Sequence, residues 1–233
     1  MRAAATTAML NRTELRTAHT TRTSDWQVPG AVTSDSRAGL PVLSGTGVTL
    51  RELRQSDAAV LFALFSSEEV SRFITPAPKN VTGFERFIEW SARERAAGRS
   101  FSFAIVPKGQ VAAIGFIQVR AREAGFGTAE WGFAIGSPFW GLGIFQEAAS
   151  MVVDFAFETA GIHRIEARAA VNNGRGNGAL RKLGAVEECL LRKSFHRNGQ
   201  HVDQTLWSIV EDDWLRADAR SLQAKTVWGA RVH

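Results

Sequence analysis

Hydrophobic and polar residues alternate with a period of two in several short segments, which predicts a β-sheet at the centre of the fold. The segment 48–53 reads VTLREL and suits a half-buried strand that opens the folded domain. Three strand-like segments follow, and a turn at Lys108-Gly109 favours an antiparallel meander. These segments cover residues 101–106, 111–120 and 127–136.

Other segments repeat hydrophobic residues every three or four positions, which predicts amphipathic helices. Ser56 is a candidate N-cap for an apolar helix that ends at Phe65. Thr82, with Glu85 three residues later, predicts a capping box for a second helix. A third helix is predicted after Gly143, with an apolar stripe of Phe145, Ala148, Val152 and Phe155.

The C-terminal part contains a predicted strand at 163–170, a short helix at 178–183 and a hairpin at 186–196 and 201–210. The order is strand, helices, three strands, helix, strand, helix and two strands. This order favours an α/β (α+β) fold with one mixed, mostly antiparallel sheet covered by helices.

One domain is predicted at 45–216 of the 233 residues, with a C-terminal tail at 217–233. Residues 1–44 are rich in Thr, Ala, Arg and Ser without sustained periodicity, so we predict a partly disordered extension there.

Composition restricts the class of protein. No apolar run approaches the roughly 18 residues that a membrane span needs, so no membrane association is predicted. The net charge of +5 favours anionic ligands, but the basic residues are scattered, which argues against nucleic-acid binding. The single cysteine, Cys189, lies in an apolar stretch that predicts a core position; with no partner for a disulfide, it favours a reducing, cytoplasmic compartment.

The segment 137–149, SPFWGLGIFQEAA, carries the clearest chemical signal. Gly141 and Gly143 stand between a predicted strand and a predicted helix. Glycine lets a backbone approach an anion closely, and the first N–H groups of a helix bind anions favourably. The basic pair Arg181-Lys182 is predicted to lie near this turn, where it would favour a phosphate-rich cofactor; the alternative is a solvated face. The alternative is that the glycines only end a strand and begin a helix.

A second block, 161–184, runs from a strand through Asn172-Asn173 into a glycine-rich turn and a short basic helix. Together the two blocks resemble the GNAT acetyltransferase superfamily, and most closely its branch of ribosomal-protein N-acetyltransferase-like enzymes. Their loop reads Trp-Gly-x-Gly and continues to x-Glu-Ala, here Trp140 to Ala148. The resemblance extends from about Gly47 to Trp214.

The resemblance implies that the fourth and fifth strands of the family fold splay apart and admit acetyl-CoA as co-substrate. No metal is expected, since the five histidines and one cysteine show no ligand spacing of the zinc type. The resemblance also implies cofactor contacts from the end of the strand, from the loop and from the segment after the next strand. The residues are Ala134, Ile135, Gly136, Trp140, Gly141, Leu142, Gly143, Ile144, Phe145, Gln146, Asn173, Gly176 and Asn177.

The chain departs from the family pattern at three points. Phe145 stands where glycine or alanine is usual, and we expect its ring to turn into the core while its N–H stays available. Gly176 stands where serine is usual, which removes a hydroxyl contact. The chain has no tyrosine, so the general acid that many members use is missing or replaced.

Two residues are candidates for catalysis. Glu130 shares a strand face with Gly132 and Ala134, and it could take the proton of the amine directly or through water; the alternative is a solvated glutamate. Asn173 is a candidate to bond the cofactor arm or the substrate, or only to cap a helix. A backbone N–H of residues 134–136 is expected to stabilise the oxyanion.

The last hairpin supplies two candidate acceptor-binding residues, His196 and Asp203, and Asp203 has a structural hydrogen bond as its alternative. The sequence hypothesis is an acetyl-CoA-dependent N-acetyltransferase, monomeric or homodimeric, that acetylates a primary amine of a small molecule, peptide or protein N-terminus. The alternative is a non-catalytic acyl-CoA-binding regulatory module.

Overall fold

The computed structural model describes residues 34–74, 77–122, 127–197 and 199–217. Most of the predicted extension and the tail beyond 217 lie outside these residues. The described residues form eight strands: β1 (Leu43–Ser44), β2 (Val48–Glu52), β3 (Ser100–Pro107), β4 (Gly115–Ala121), β5 (Thr128–Ile135), β6 (Arg164–Ala170), β7 (Val186–Arg197) and β8 (Gln200–Val210).

The strands form one sheet in the order β1-β2-β3-β4-β5-β6-β8-β7. Neighbouring strands are antiparallel except for β5 and β6, which are parallel. Within the described residues before β7, six helices flank the sheet: α1 (Ser34–Ala38), α2 (Ala58–Phe65), α3 (Glu68–Ser71), α4 (Val81–Ala96), α5 (Ile144–Asp154) and α6 (Gly174–Leu183). Residues 211–217 are also helical. The predicted mixed fold is therefore confirmed.

β5 and β6 separate after three paired positions, which join Thr128–Glu130 to Arg164–Glu166. Beyond these positions β5 runs on to Ile135 and β6 to Ala170 without pairing to each other. The splayed strand pair that the family resemblance implied is present.

Each face of the sheet has its own hydrophobic core. Helix α5 packs on one face, where Val152 and the following Phe155 join strand residues such as Phe103. Helices α2 and α4 pack on the other face through Phe65 and Phe84. The apolar stripe predicted for α5 is confirmed, because its four residues all belong to or pack against the first core.

Several predicted boundaries were wrong. Helix α4 begins at Val81 and is capped by Asn80, whose Oδ1 accepts from the Gly83 N–H at 2.8 Å, so Thr82 is not the cap. Helix α6 begins at Gly174 rather than 178, because Asn173 caps a first turn that contains two glycines. Residues 34–44, placed in the extension, contribute β1, which pairs with β2.

A buried ion pair explains why β4 begins at Gly115 and not at 111. Asp57, 1% exposed, binds Arg51 through two hydrogen bonds of 2.8 Å. The Ala113 N–H donates to the Asp57 carboxylate at 3.1 Å, and Arg51 donates to the Val111 carbonyl at 2.8 Å. These bonds hold the backbone of residues 111–113 against the ion pair, and the sheet hydrogen bonds begin at Ile114, which donates to the Ile105 carbonyl of β3 at 2.9 Å.

Cys189 is exposed, which corrects the prediction of a core position. It lies on β7, the edge strand of the sheet in the part of the chain that the structure describes, and most side chains of this strand are exposed.

Candidate active site

A cavity of about 560 Å³ opens where β5 and β6 separate. Its walls are the end of β5, the loop that leads into α5, the first turns of α6, and residues 69–74 in and after α3. The predicted cofactor residues that line it are Ala134, Ile135, Trp140, Gly141, Gly143, Phe145, Gln146, Asn173 and Gly176.

The glycine loop presents an open helix end to this cavity. Gly141 and Gly143 both have φ of +78°, a backbone conformation that is strained for any residue with a side chain. A Cβ on either glycine would meet no atom within 4 Å. Gly143 is the N-cap of α5 and offers no side-chain cap. The N–H groups of the first turn, at Ile144, Phe145 and Gln146, therefore have no acceptor within the helix and suit an anion.

Basic side chains add positive charge to the same cavity. Arg72, Arg175 and Lys182 line it, and the Arg175 guanidinium lies 4.1 Å from the centre of the Trp140 ring. Sequence reasoning identified Lys182 but not the two arginines. Arg181, its neighbour, lies over Trp207 instead. The cavity is therefore suited to a phosphate-rich ligand.

Two aromatic residues shape the loop without closing it. Trp140 Nε1 donates to the Ile135 carbonyl at 2.8 Å and so ties the loop to the end of β5. The Phe145 ring packs on Phe133 with 4.3 Å between ring centres, and it is half-buried against the core. Phe145 thus combines a packed ring with a free backbone position at the helix start.

The backbone register singles out one N–H at the strand gap. The Gly136 N–H donates to the Ile114 carbonyl of the segment before β4 at 2.9 Å. Because alternate residues of an antiparallel strand face the same neighbour, Ala134 also faces β4, whereas Ile135 faces the gap towards β6. Of the residues 134–136, Ile135 is thus the one whose N–H points into the opening.

The start of α6 explains two asparagines and a glycine. Asn173 Oδ1 accepts from the Gly176 N–H at 2.9 Å and caps the helix. Asn177 does not line the large cavity: its Nδ2 donates to the carbonyls of Ala170 and Asn173, and its Oδ1 accepts from Trp207 Nε1. A Cβ on Gly176 would lie 2.5 Å from Asn173 Nδ2, so the serine usual in the family does not fit beside this cap.

Replacing Gly176 by serine is expected to displace the Asn173 side chain and lower the free energy of unfolding by about 1 kcal/mol, the value of a helix cap. Urea unfolding measures this loss. Gly178→Ser is the matched control, because it lies in the same helix and a Cβ there meets no atom within 4 Å. Equal losses in the two variants would contradict the packing explanation.

Other predicted site residues lie away from the large cavity as far as the structure describes it. Glu130 forms ion pairs with Arg168 at 2.6 Å and Arg122 at 3.7 Å, and it borders a separate cavity of about 340 Å³. Asp203 accepts from the Lys193 N–H at 2.7 Å, and the exposed His196 ring lies 4.7 Å from His201. Gly136, Leu142 and Ile144 are not wall residues either.

Sequence reasoning missed the wall formed by residues 69–74. Val70, 5% exposed, anchors it in the second core. Arg197 of β7 donates to the Ser71 carbonyl at 2.7 Å and to the Ile74 carbonyl at 3.3 Å. These bonds join segments more than 120 positions apart, so no local pattern in the sequence could have revealed them.

The loop glutamate of the x-Glu-Ala pattern, Glu147, has a structural role. Its carboxylate accepts from the Thr46 N–H and hydroxyl and from the Gly47 N–H, which ties α5 to the turn between β1 and β2. Burial raises the pKa of Glu147, but these hydrogen bonds outweigh burial and lower the pKa below its usual value.

Among the described residues, no group of three or more His, Cys, Asp or Glu side chains is arranged to hold a metal ion. No described helix is long and apolar enough to cross a membrane.

Comparison with known proteins agrees with this geometry. Residues 48–186 match the family described as "Acetyltransferase (GNAT) domain". The uncharacterized N-acetyltransferase YoaA of Bacillus subtilis is 30% identical over 174 residues, which cover 73% of this chain and 97% of YoaA. The [ribosomal protein uS5]-alanine N-acetyltransferase of Escherichia coli is 27% identical over 118 residues, covering 50% of this chain and 61% of that enzyme.

Among solved structures, Mycobacterium smegmatis RimJ in complex with CoA-disulfide superposes with a TM-score of 0.66 at 24% identity. The match covers 74% of this chain and 90% of RimJ. This similarity supports the fold.

Proposed function

Because this chain belongs to the GNAT acetyltransferase domain family, we propose that it transfers an acetyl group from acetyl-CoA to a primary amine. The observation that carries the proposal is the uncapped start of α5, between two glycines with positive φ, at a cavity in the strand gap. Relatives named N-acetyltransferases favour catalysis over a binding module. A cytoplasmic location and a monomeric or homodimeric state remain predictions.

The residues present fit coenzyme A. The first-turn N–H groups of α5 would hold its pyrophosphate, and Arg175 and Lys182 would add charge at the same end of the cavity. Asn173 and Gly176 border the gap and would flank the pantetheine arm. RimJ, which shares this fold, was solved with a coenzyme A disulfide.

The chemistry proposed is direct attack of the amine on the thioester. The amine nitrogen bonds to the carbonyl carbon, the carbon–sulfur bond breaks, and the thiolate leaves with the electron pair. The Ile135 N–H, which faces the gap, would stabilise the oxyanion. Thiolate is a good leaving group, so the missing tyrosine need not be replaced by a fixed acid.

Steady-state release of CoA from acetyl-CoA, measured with and without a panel of primary amines, tests the proposal. Release that depends on the amine, with an acetylated product in the mass spectrum, is the expected result. Tight acetyl-CoA binding without transfer to any amine would instead support the binding module.

Glu130 stays a prediction as the proton acceptor. It lies at the last position of β5 that pairs with β6, outside the large cavity, so a water would have to carry the proton to it. We expect Glu130→Gln to lower kcat about 100-fold, with acetyl-CoA affinity unchanged. A kcat close to that of the wild type would mean that Glu130 does not accept the proton and only forms ion pairs with Arg122 and Arg168.

A further inference from the structure

Two groups of residues line the large cavity. The first comprises the open N-terminus of α5, Arg175 and Lys182, which suit phosphates. The second is the wall formed by residues 69–74, which belongs to neither α5 nor α6. If the phosphates bind to the first group and the thioester reaches the strand gap, the second wall is available to the acceptor.

Glu69 is the single carboxylate in the described lining of this cavity. It is exposed and has no hydrogen bond or ion pair with any described residue. Glu130 differs on both counts, since it lies outside this lining and is paired with two arginines. An unpaired carboxylate at the mouth of a cavity can bind a cationic group without first breaking an internal pair.

The surface beside Glu69 is mostly apolar and carries one cation: Arg72 lines the same wall, with its guanidinium 5.2 Å from the centre of the Phe73 ring. Phe73 and Ile74 are half-buried wall residues, and Phe133 and Phe139 face the same space from the other side. Aromatic and aliphatic side chains favour an apolar group as their contact. Arg197 holds this wall in place through the carbonyls of Ser71 and Ile74.

From this arrangement we infer that Glu69 binds the amino group of the acceptor, and that the acceptor is a primary amine attached to an apolar group. The carboxylate recognises the positive charge and the N–H donors, and the rings take up the adjoining apolar part. This inference rests on the proposed function, since it assigns the acceptor side of the same cavity.

Equilibrium binding to the full chain saturated with CoA tests the inference without turnover. The probes are 2-phenylethylamine and its uncharged analogue 2-phenylethanol, measured by calorimetry. Wild type is expected to prefer the amine about tenfold, the effect of one hydrogen-bonded charge pair. Glu69→Gln is expected to lose this preference while its affinity for 2-phenylethanol stays the same.

Glu68→Gln is the matched control, because Glu68 is exposed on the same short helix but does not line the cavity. It should keep the wild-type preference. A preference retained by Glu69→Gln, or lost equally in both variants, overturns the assignment of Glu69. Failure of wild type to bind either probe overturns the apolar-amine class.

These outcomes are separate from failure of the proposed function. If CoA itself does not bind wild type, the proposed function fails. If CoA binds and the amine screen yields product, but Glu69→Gln behaves like Glu68→Gln, only the inference about Glu69 fails.

Discussion

Replacing Gly143 by glutamate is expected to weaken acetyl-CoA binding at least about 100-fold, which is roughly 2.7 kcal/mol. Gly143 has φ of +78°, so any side chain strains the loop, and its Cβ would point into open space. A carboxylate there would meet the phosphates at the helix start that is proposed to bind them. Calorimetry with acetyl-CoA measures the loss.

The control for this variant is Gly109→Glu in the turn after β3. Gly109 has the same φ of +78°, and a Cβ there also meets no atom within 4 Å, but the residue does not line the cavity. It reproduces the backbone strain and the added charge, so acetyl-CoA binding should stay near that of wild type. If acetyl-CoA binds Gly143→Glu as tightly as wild type, the loop does not belong to the cofactor site.

Replacing Asp57 by alanine is expected to lower the free energy of unfolding by about 3–5 kcal/mol. The change leaves the Arg51 guanidinium buried without its partner. It also removes the acceptor of the hydrogen bonds that the N–H groups of Arg54 and Ala113 donate to the carboxylate. Chemical denaturation at neutral pH measures the loss. A loss below about 1 kcal/mol, typical of exposed ion pairs, would contradict it.

A double variant separates the effect of the unpaired buried charge from the effect of the lost backbone hydrogen bonds. Arg51→Met with Asp57→Leu removes both charges, and we expect it to be markedly more stable than Asp57→Ala, because no buried charge is left unpaired. If it is equally unstable, the backbone hydrogen bonds of Asp57 matter more than its charge.

Asp57 also makes the free energy of unfolding depend on pH. Burial raises the pKa of Asp57, but the hydrogen bonds from Arg51 and from the backbone of Arg54 and Ala113 outweigh burial and lower the pKa below its usual value. Stability from a lowered pKa is complete above the unfolded-state value of about 4 and is lost as the pH falls through the folded-state value. Below about pH 4, wild type should therefore lose stability faster than Asp57→Ala.

Much of the fold could be predicted because its signals are local. The apolar stripe of α5 follows from spacing along one helix, and the strand meander from alternation and turns. Local signals failed where a distant partner decides the outcome. Residues 111–113 are apolar and were predicted to begin a strand, yet the Arg51–Asp57 pair binds the backbone of Val111 and Ala113 instead.

The candidate site divides in the same way. A loop such as Trp140–Gly143 can be recognised because glycine at positive φ before a helix is a backbone property of adjacent residues. The role of Asn177 could not be recognised, since its partners include Trp207 on β8. Nor could the exposure of Cys189, which depends on β7 standing at the edge of the sheet.

The sequence by itself determined the element order, the glycine loop and the family, because each depends on residues that are neighbours along the chain. Only the tertiary structure decided what faces the cavity. Glu69 lies in the cavity wall, whereas Glu130 is paired with arginines. Arg197 donates hydrogen bonds that hold residues 71–74 in place. Side chains from distant segments meet only when the sheet is assembled, so their contacts leave no periodic trace in the sequence.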